Sequence, residues 1–217
     1  MITIHILSLF PESLAPYLES SIMKRAQEKG LFHYRVHNLT NWTVRNTRRV
    51  DNRPYGWWAG TLITIEPLAK AIREIIREYW AMKILYFSPR WILHTQEQAE
   101  MHARSPDMQY LILCWHYEGI DARIFELFEI MEISIGEYVL TSGELASLIW
   151  IDSIVRLIPW VISEESLREE SFSRELWGKR EYPQFSRPEV FEWLRVPEVL
   201  LSGDKRKIEQ WNHKHTL

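Results

Sequence analysis

Cysteine is nearly missing. Cys114 is the one thiol in 217 residues, so no disulfide forms within the chain and a reducing compartment is expected. Long apolar runs are missing too. No stretch approaches the ~20 residues that cross a bilayer, and Met1–Phe10 is too short an apolar run, with the wrong flanks, for a signal peptide. Neither sign of charge dominates: 26 Lys and Arg face 29 Asp and Glu, for a formal net charge of −3. Whole-molecule attraction to nucleic acid is thereby excluded, and any RNA contact must come from local patches. The eight histidines are scattered and none sets up a zinc pattern. What is present is a globular composition, 46% hydrophobic and 25% charged, with length for one good core and a small second domain.

Strand-like and helix-like patterns alternate along the chain. Ile2–Leu7 reads as a strand ending at Pro11, followed by a helix over Leu14–Glu28 that Gly30 closes. Leu31–His37 is a second strand. Leu68, Ile72, Ile75 and Ile76 give Pro67–Tyr79 a helical period, and Met82–Phe87 is a strand. A helix over His94–Arg104 precedes the continuous apolar run Tyr110–Cys114, short enough to be a strand buried on both faces. Asp121–Phe128 is a short helix, Glu132–Leu140 a strand-like piece, and Gly143–Ile158 a long apolar helix stopped by Pro159. The alternation predicts a mainly parallel α/β sheet covered on both sides. Ser163–Arg180 lacks an apolar period and reads as a mobile linker. Short helical pieces at Pro188–Trp193 and Asp204–Trp211 follow.

Two strand ends carry the chemistry. After Tyr110–Cys114 come His116-Tyr117-Glu118-Gly119-Ile120-Asp121, and after the next strand Thr141-Ser142-Gly143-Glu144, which fits an S/T-x-x-E capping box. Polar and glycine residues at such ends are where an open α/β sheet takes a ligand, although ordinary βα turns look the same. Asn41–Gly60 gathers Arg45, Arg48, Arg49 and Arg53 against Asp51. These are either a solvated face or a loop gripping a phosphate backbone.

The words HYEGID, SIGEYVL and SGELA, in this order, resemble the bacterial tRNA (guanine-N1)-methyltransferases, the TrmD family of the knotted SPOUT class. SLFPE at Ser8–Glu12, VDNRPYG at Val50–Gly56, YFSP at Tyr86–Pro89, IDSIVRLIP at Ile151–Pro159, ESFS at Glu170–Ser173 and FSRPEVF…VPEVLLSG at Phe185–Gly203 extend the likeness over nearly the whole chain. The resemblance implies an α/β, SPOUT-type parallel sheet with a deep trefoil knot over residues 1–162, a flexible linker over 163–180 and a small C-terminal α-helical, tRNA-binding domain over 181–217. It implies a cytoplasmic homodimer, not attached to a membrane, with active sites shared between subunits. The activity implied is S-adenosylmethionine-dependent methylation of guanine N1 in tRNA at the guanosine 3′ of the anticodon. The donor-binding positions carried over are Tyr86, Phe87, Ser88, Pro89, Trp115, Tyr117, Glu118, Gly119, Ile135, Gly136, Glu137, Tyr138, Val139, Leu140, Ser142 and Gly143. Glu170 falls on the proton-accepting aspartate, with Glu169 as fallback, and Arg156 on the arginine that steadies charge at O6. RNA contacts fall on Arg48, Arg49, Arg53, Gly56, Arg187, Lys205 and Arg206. Magnesium is linked to activity in that family, yet no cluster here has metal spacing.

Tryptophan repeatedly stands where those proteins have glycine: Trp57, Trp58, Trp91, Trp115, Trp160 and Trp193. The tail also ends a few helical turns early. Two accounts compete. One is a catalytically silent RNA-binding relative, with an indole at Trp115 blocking the donor pocket. The other is a UGA codon decoded as glycine in the source and written as tryptophan. A SPOUT methyltransferase for another RNA site is a further alternative.

Overall fold

A computed structural model describes residues 1–43, 49–56, 59–105 and 107–217. Arg45, Arg48, Trp57 and Trp58 lie outside the described residues. The chain forms two compact units, Met1–Val161 and Ile162–Leu217.

The first unit is built on a five-stranded sheet. In chain order it contains β1 (Ile2–Ser8), α1 (Ala15–Leu18), α2 (Ser21–Glu28), β2 (Phe32–Asn38), β3 (Asp51–Asn52), β4 (Leu62–Ile63), α3 (Ile65–Tyr79) and β5 (Lys83–Phe87). Then come α4 (Gln96–Ala103), β6 (Gln109–Leu113), α5 (Ile124–Leu127), β7 (Ile130–Ile133) and α6 (Gly143–Val155). The sheet order is β2-β1-β6-β5-β7 and every pairing is parallel. β3 and β4 make a separate antiparallel hairpin.

Side chains that alternate along the strands feed two cores. Tyr110 and Ile112 of β6 point with Ile4, Ile6 and Phe87 toward α2, α4 and α6. Leu111 and Leu113 point with Leu7 and Ile84 toward α3 and α5. An all-apolar β6 is the expected signature of a strand buried on both faces. Trp150 of α6 anchors the first core, fully buried among Phe87, His102 and Tyr110 with ring centroids 5.0–6.2 Å away.

Several elements depart from the sequence expectations. The helix expected over 14–28 is broken at Glu19–Ser20 into α1 and α2, and Gly30 (φ +67°) does close the second. β7 is shorter than Glu132–Leu140: its pairing with β5 stops at Ile133, Ser134 makes a single bridge with Leu93, and the residues beyond form a loop. The capping box does not form. Ser142 is the N-cap without a side-chain bond, and the Glu144 carboxylate instead accepts a 2.6 Å hydrogen bond from the buried Ser8 hydroxyl.

The second unit holds α7 (Glu164–Arg168), an antiparallel hairpin of β8 (Val190–Phe191) and β9 (Leu194–Arg195), α8 (Glu198–Leu201) and α9 (Lys205–His215). A hairpin thus replaces the helical piece expected at Pro188–Trp193. Residues 163–180 are not featureless: α7 is capped by Ser163, and Leu176 and Ser173 are buried.

Among the described residues, the tryptophans differ in how they are held. Trp150 is core, and Trp42 donates its indole N–H to Glu74 at 2.7 Å. Trp80, Trp160 and Trp177 are 74–79% exposed and all have positive φ, at 64°, 75° and 53°. Trp80, with ψ −163°, sits in a region that is essentially glycine's alone. Trp91 and Trp193 are exposed without that strain. Glycine-type backbone under tryptophan therefore occurs at Trp160, and also at Trp80 and Trp177, which the sequence did not single out.

Candidate active site

Parallel strands bring their C-terminal ends to one edge of the sheet, and there three connections converge on a cleft. Phe87, Ser88 and Pro89 come from the end of β5, Trp115 from the end of β6, and Ser134, Ile135, Gly136, Tyr138, Val139 and Leu140 from the loop after β7. Ala146 of α6 completes the wall. The lining residues are mostly apolar, with Ser88 and Ser134 among them, which suits a flat heterocycle with a few polar edges.

Local chemistry fixes the loops. Ser88 N donates to Ile133 O (2.9 Å), and Ser134 joins the preceding loop by donating to Ile92 O (2.9 Å) and accepting from His94 N (2.7 Å). Gly136, at φ +152°, lies under the Tyr138 ring, whose carbon would be 2.2 Å from any added Cβ. Gly143 N donates to Trp115 O (2.9 Å), and a Cβ at Gly143 would fall 2.7 Å from Trp115 N and 2.9 Å from Cys114 Cα. Only glycine lets the start of α6 press this closely on the end of β6.

Of the sequence-derived donor positions, Phe87, Ser88, Pro89, Trp115, Ile135, Gly136, Tyr138, Val139 and Leu140 line this cleft. Tyr86, Tyr117, Glu118, Gly119, Glu137, Ser142 and Gly143 do not. Tyr86 faces the other core, edge-on to Phe125 at 5.4 Å, and burial, with Glu132 nearby, pushes its phenol up to about 12. Tyr117 and Glu118 are exposed, and Tyr117 has φ 60°. Gly143 acts on the cleft through the packing just described. Ser134 and Ala146 line the cleft without having been singled out. Ser134 opens the word SIGEYVL and Ala146 closes SGELA, so membership of those words was the available signal.

The cleft encloses about 70 Å³, well short of the ~300 Å³ at which cofactor pockets begin. Two rings narrow it, Trp115 and Tyr138. Tyr138 is half exposed, and its hydroxyl donates to Ile135 O within its own loop at 3.2 Å. The lining chemistry fits a nucleoside donor, and the space for one depends on where the Trp115 and Tyr138 rings stand.

The remaining candidates lie elsewhere. Arg156, half-buried, is the C-cap of α6 in the first unit. Glu170, half-buried, precedes a turn in the second unit in which Ser173 N donates to its carbonyl at 3.0 Å. The neighbouring Glu169 accepts a 2.6 Å bond from the Tyr182 hydroxyl. Arg49 is paired with Asp51 at 3.0 Å, which raises the guanidinium further. Arg53, Arg187, Lys205 and Arg206 are exposed, as is Gly56 at φ +86°. Among the described residues no group of three His, Cys, Asp or Glu side chains could hold a metal ion, and no helix is long and apolar enough to cross a membrane.

Comparison of the sequence with known proteins points to one family. The model described as "tRNA (Guanine-1)-methyltransferase TrmD" matches residues 2–217. A tRNA (guanine-N(1)-)-methyltransferase of Clostridioides difficile is 43% identical over 216 residues, covering 98% of this chain and 91% of the relative. Proteins of the same name from Dictyoglomus turgidum and Caldicellulosiruptor saccharolyticus are 39% and 42% identical over 218 and 212 residues. They are matched over 86% and 84% of their own lengths. With a near-complete family match joined to relatives at this identity, the chain belongs to the tRNA (guanine-1)-methyltransferase TrmD family.

Proposed function

We propose that this chain methylates N1 of a guanine in tRNA, at the guanosine 3′ of the anticodon, with S-adenosylmethionine as donor. The observation that carries the reading is the convergence of the β5, β6 and β7 connections on one cleft, in a chain whose family is known from end to end. The donor supplies an electrophilic methyl group on a sulfonium centre. Phe87–Pro89 and Ile135–Leu140 hold it through apolar walls and backbone groups, and Gly136 allows close approach. Guanine N1 must lose its proton as it accepts the methyl group. Glu170, which falls on the family's proton-accepting position, takes that proton. Arg156 steadies the negative charge that moves onto O6. Reaching the cleft requires the base to leave its stack, at a cost of a few kcal/mol that is smallest in a loop.

Arg48, Arg49, Arg53, Gly56, Arg187, Lys205 and Arg206 contact the RNA, with residues 163–180 as a linker and 181–217 as a small tRNA-binding domain. The chain acts in the cytoplasm as a homodimer whose active sites are shared. In support, α6 is apolar almost all round, with Leu145 52% and Ile149 39% exposed opposite the buried Trp150; such a helix ordinarily has partners on every side. The first unit carries a trefoil knot. Its all-parallel order and the tight passage of Gly143 against Cys114–Trp115 favour that threading. We assign no magnesium ligands.

The test is methyl transfer to tRNA transcripts. We expect N1-methylguanosine at the nucleotide 3′ of the anticodon and none when that guanosine is replaced. Methyl groups at another nucleotide would redirect the enzyme to a different RNA site. A second reading, a catalytically silent RNA binder, is favoured by one observation, the Trp115 indole in the cleft wall. Calorimetry with S-adenosylhomocysteine separates the two, since only the enzyme reading requires the cleft to take it. Reading the codon for residue 115 decides whether that indole exists: UGA restores glycine, UGG retains the ring.

A further inference from the structure

The β3–β4 hairpin does not stand alone. Glu118 N donates to Thr61 O, Ile63 N to Gly119 O and Asp121 N to Ile63 O, each at 3.0 Å. Ile63 and Ile120 face each other in a parallel bridge, and both are buried. Residues 61–63 thus act as a strand laid along residues 118–121, the loop that leaves β6. The contact is closest at Gly60, with φ +87°. A Cβ there would lie 2.6 Å from Glu118 Cγ and 2.8 Å from its Oε1. Any other L-residue would strain the backbone and push the Glu118 side chain aside at once.

This seam joins two surfaces. On the hairpin side, Arg49 is held by Asp51, which also bonds Thr61, while Arg53 and Tyr55 stand exposed. On the loop side, the Tyr86 hydroxyl lies 3.5 Å from where a Cβ of Gly119 would be. Tyr86 directly precedes Phe87, Ser88 and Pro89 of the cleft. A displacement of the hairpin therefore meets Glu118 and Gly119 first, and the cleft wall one contact later.

We propose that Gly60 is a positioning residue that couples RNA docking on the hairpin to donor binding in the cleft, by letting the hairpin backbone rest directly on Glu118. The inference builds on the methyltransferase reading above. Such coupling is reciprocal: the factor by which tRNA tightens the donor product must equal the factor by which the donor product tightens tRNA.

The experiment is calorimetry on the full chain with S-adenosylhomocysteine and a tRNA transcript, each alone and in the presence of the other. The wild-type protein should show the same tightening in both directions, on the order of tenfold. In Gly60→Ala each ligand alone should bind within about threefold of wild type, while the coupling factor falls toward one. A merely structural glycine would weaken both ligands alone and leave their ratio unchanged. Asp51→Asn loosens the hairpin without a backbone clash and should lower the coupling part-way, which keeps the test usable if Gly60→Ala does not fold. Binding without wild-type coupling, or coupling that survives both substitutions, overturns this inference alone. Failure of S-adenosylhomocysteine to bind under any condition overturns the methyltransferase reading with it.

Discussion

Residues 1–161 and residues 162–217 are held together in different ways. The first unit buries both faces of its sheet, and its core runs from Ile2 to Ile158. In the second, Leu176 and Ser173 are the buried residues. Its order comes from local devices: the Ser163 and Asp204 caps, the β8–β9 hairpin, and two backbone bonds joining Arg180 to Leu217 at 2.8 and 3.1 Å. Burying one large apolar side chain contributes about 1.5–3 kcal/mol, whereas a cap contributes about 1. A unit resting on caps opens locally long before a unit resting on a core. The lesson concerns catalysis as much as stability: the cleft proposed for the donor belongs to the first unit, and the candidate base Glu170 to the second.

The sharpest way to break this contrast is at Trp150. Replacing it by alanine should cost about 3–5 kcal/mol, read as a lower midpoint in urea followed by a probe in the sheet. If amide exchange in residues 162–217 slowed or quickened by the same amount, the two units would be one cooperative block.

Acid should separate them next. Burial is the main cause that pulls the His5 and His102 imidazoles down from 6.5 to about 4, with the neighbouring His37 adding to the effect at His5. Both are fully or nearly fully buried. A folded-state value below the unfolded one means their contribution is intact above pH 6.5 and is lost as pH falls toward 4. The loss by pH 4 is about 3 kcal/mol for each histidine. Both histidines belong to the first unit and neither residue 213 nor 215 is buried, so a thermal scan between pH 7 and 4 should lower the sheet's transition, and a flat profile would refute the assignment.

Smaller changes sharpen the same contrast. Trp80→Gly relieves a backbone that only glycine adopts readily and should raise the first unit's stability by about 1 kcal/mol, measured by urea unfolding. Asp204→Ala removes the cap that accepts from Lys207 N at 3.3 Å. It should cost about 1 kcal/mol, seen as faster amide exchange in α9 with no change in the sheet.

Most of the first unit was legible because its signals are local. The apolar run at Leu111, the helical period of Leu68, Ile72 and Ile75, and the closing turn at Gly30 each state their structure within one element. Glu144 shows the limit: its sequence neighbours spell a capping box, but its partner is Ser8, 136 residues away. The 190–195 hairpin was misread as helix because two-residue strands offer no period to detect. In the site, motif words led to the loops at Phe87–Pro89 and Ile135–Leu140. The seam between Gly60 and Glu118 is a contact between distant segments, and no local pattern announces it.

The strand order has a consequence for how the protein is made. β6 inserts between β1 and β5, both of which leave the ribosome before it. Until residue 113 has been synthesised, the backbone edges of two earlier strands that β6 will pair stay open to other nascent chains. Release of this polypeptide before that point would yield a sticky fragment in place of a smaller protein, so synthesis that stalls ahead of the sixth strand is the step at which a chaperone would matter most.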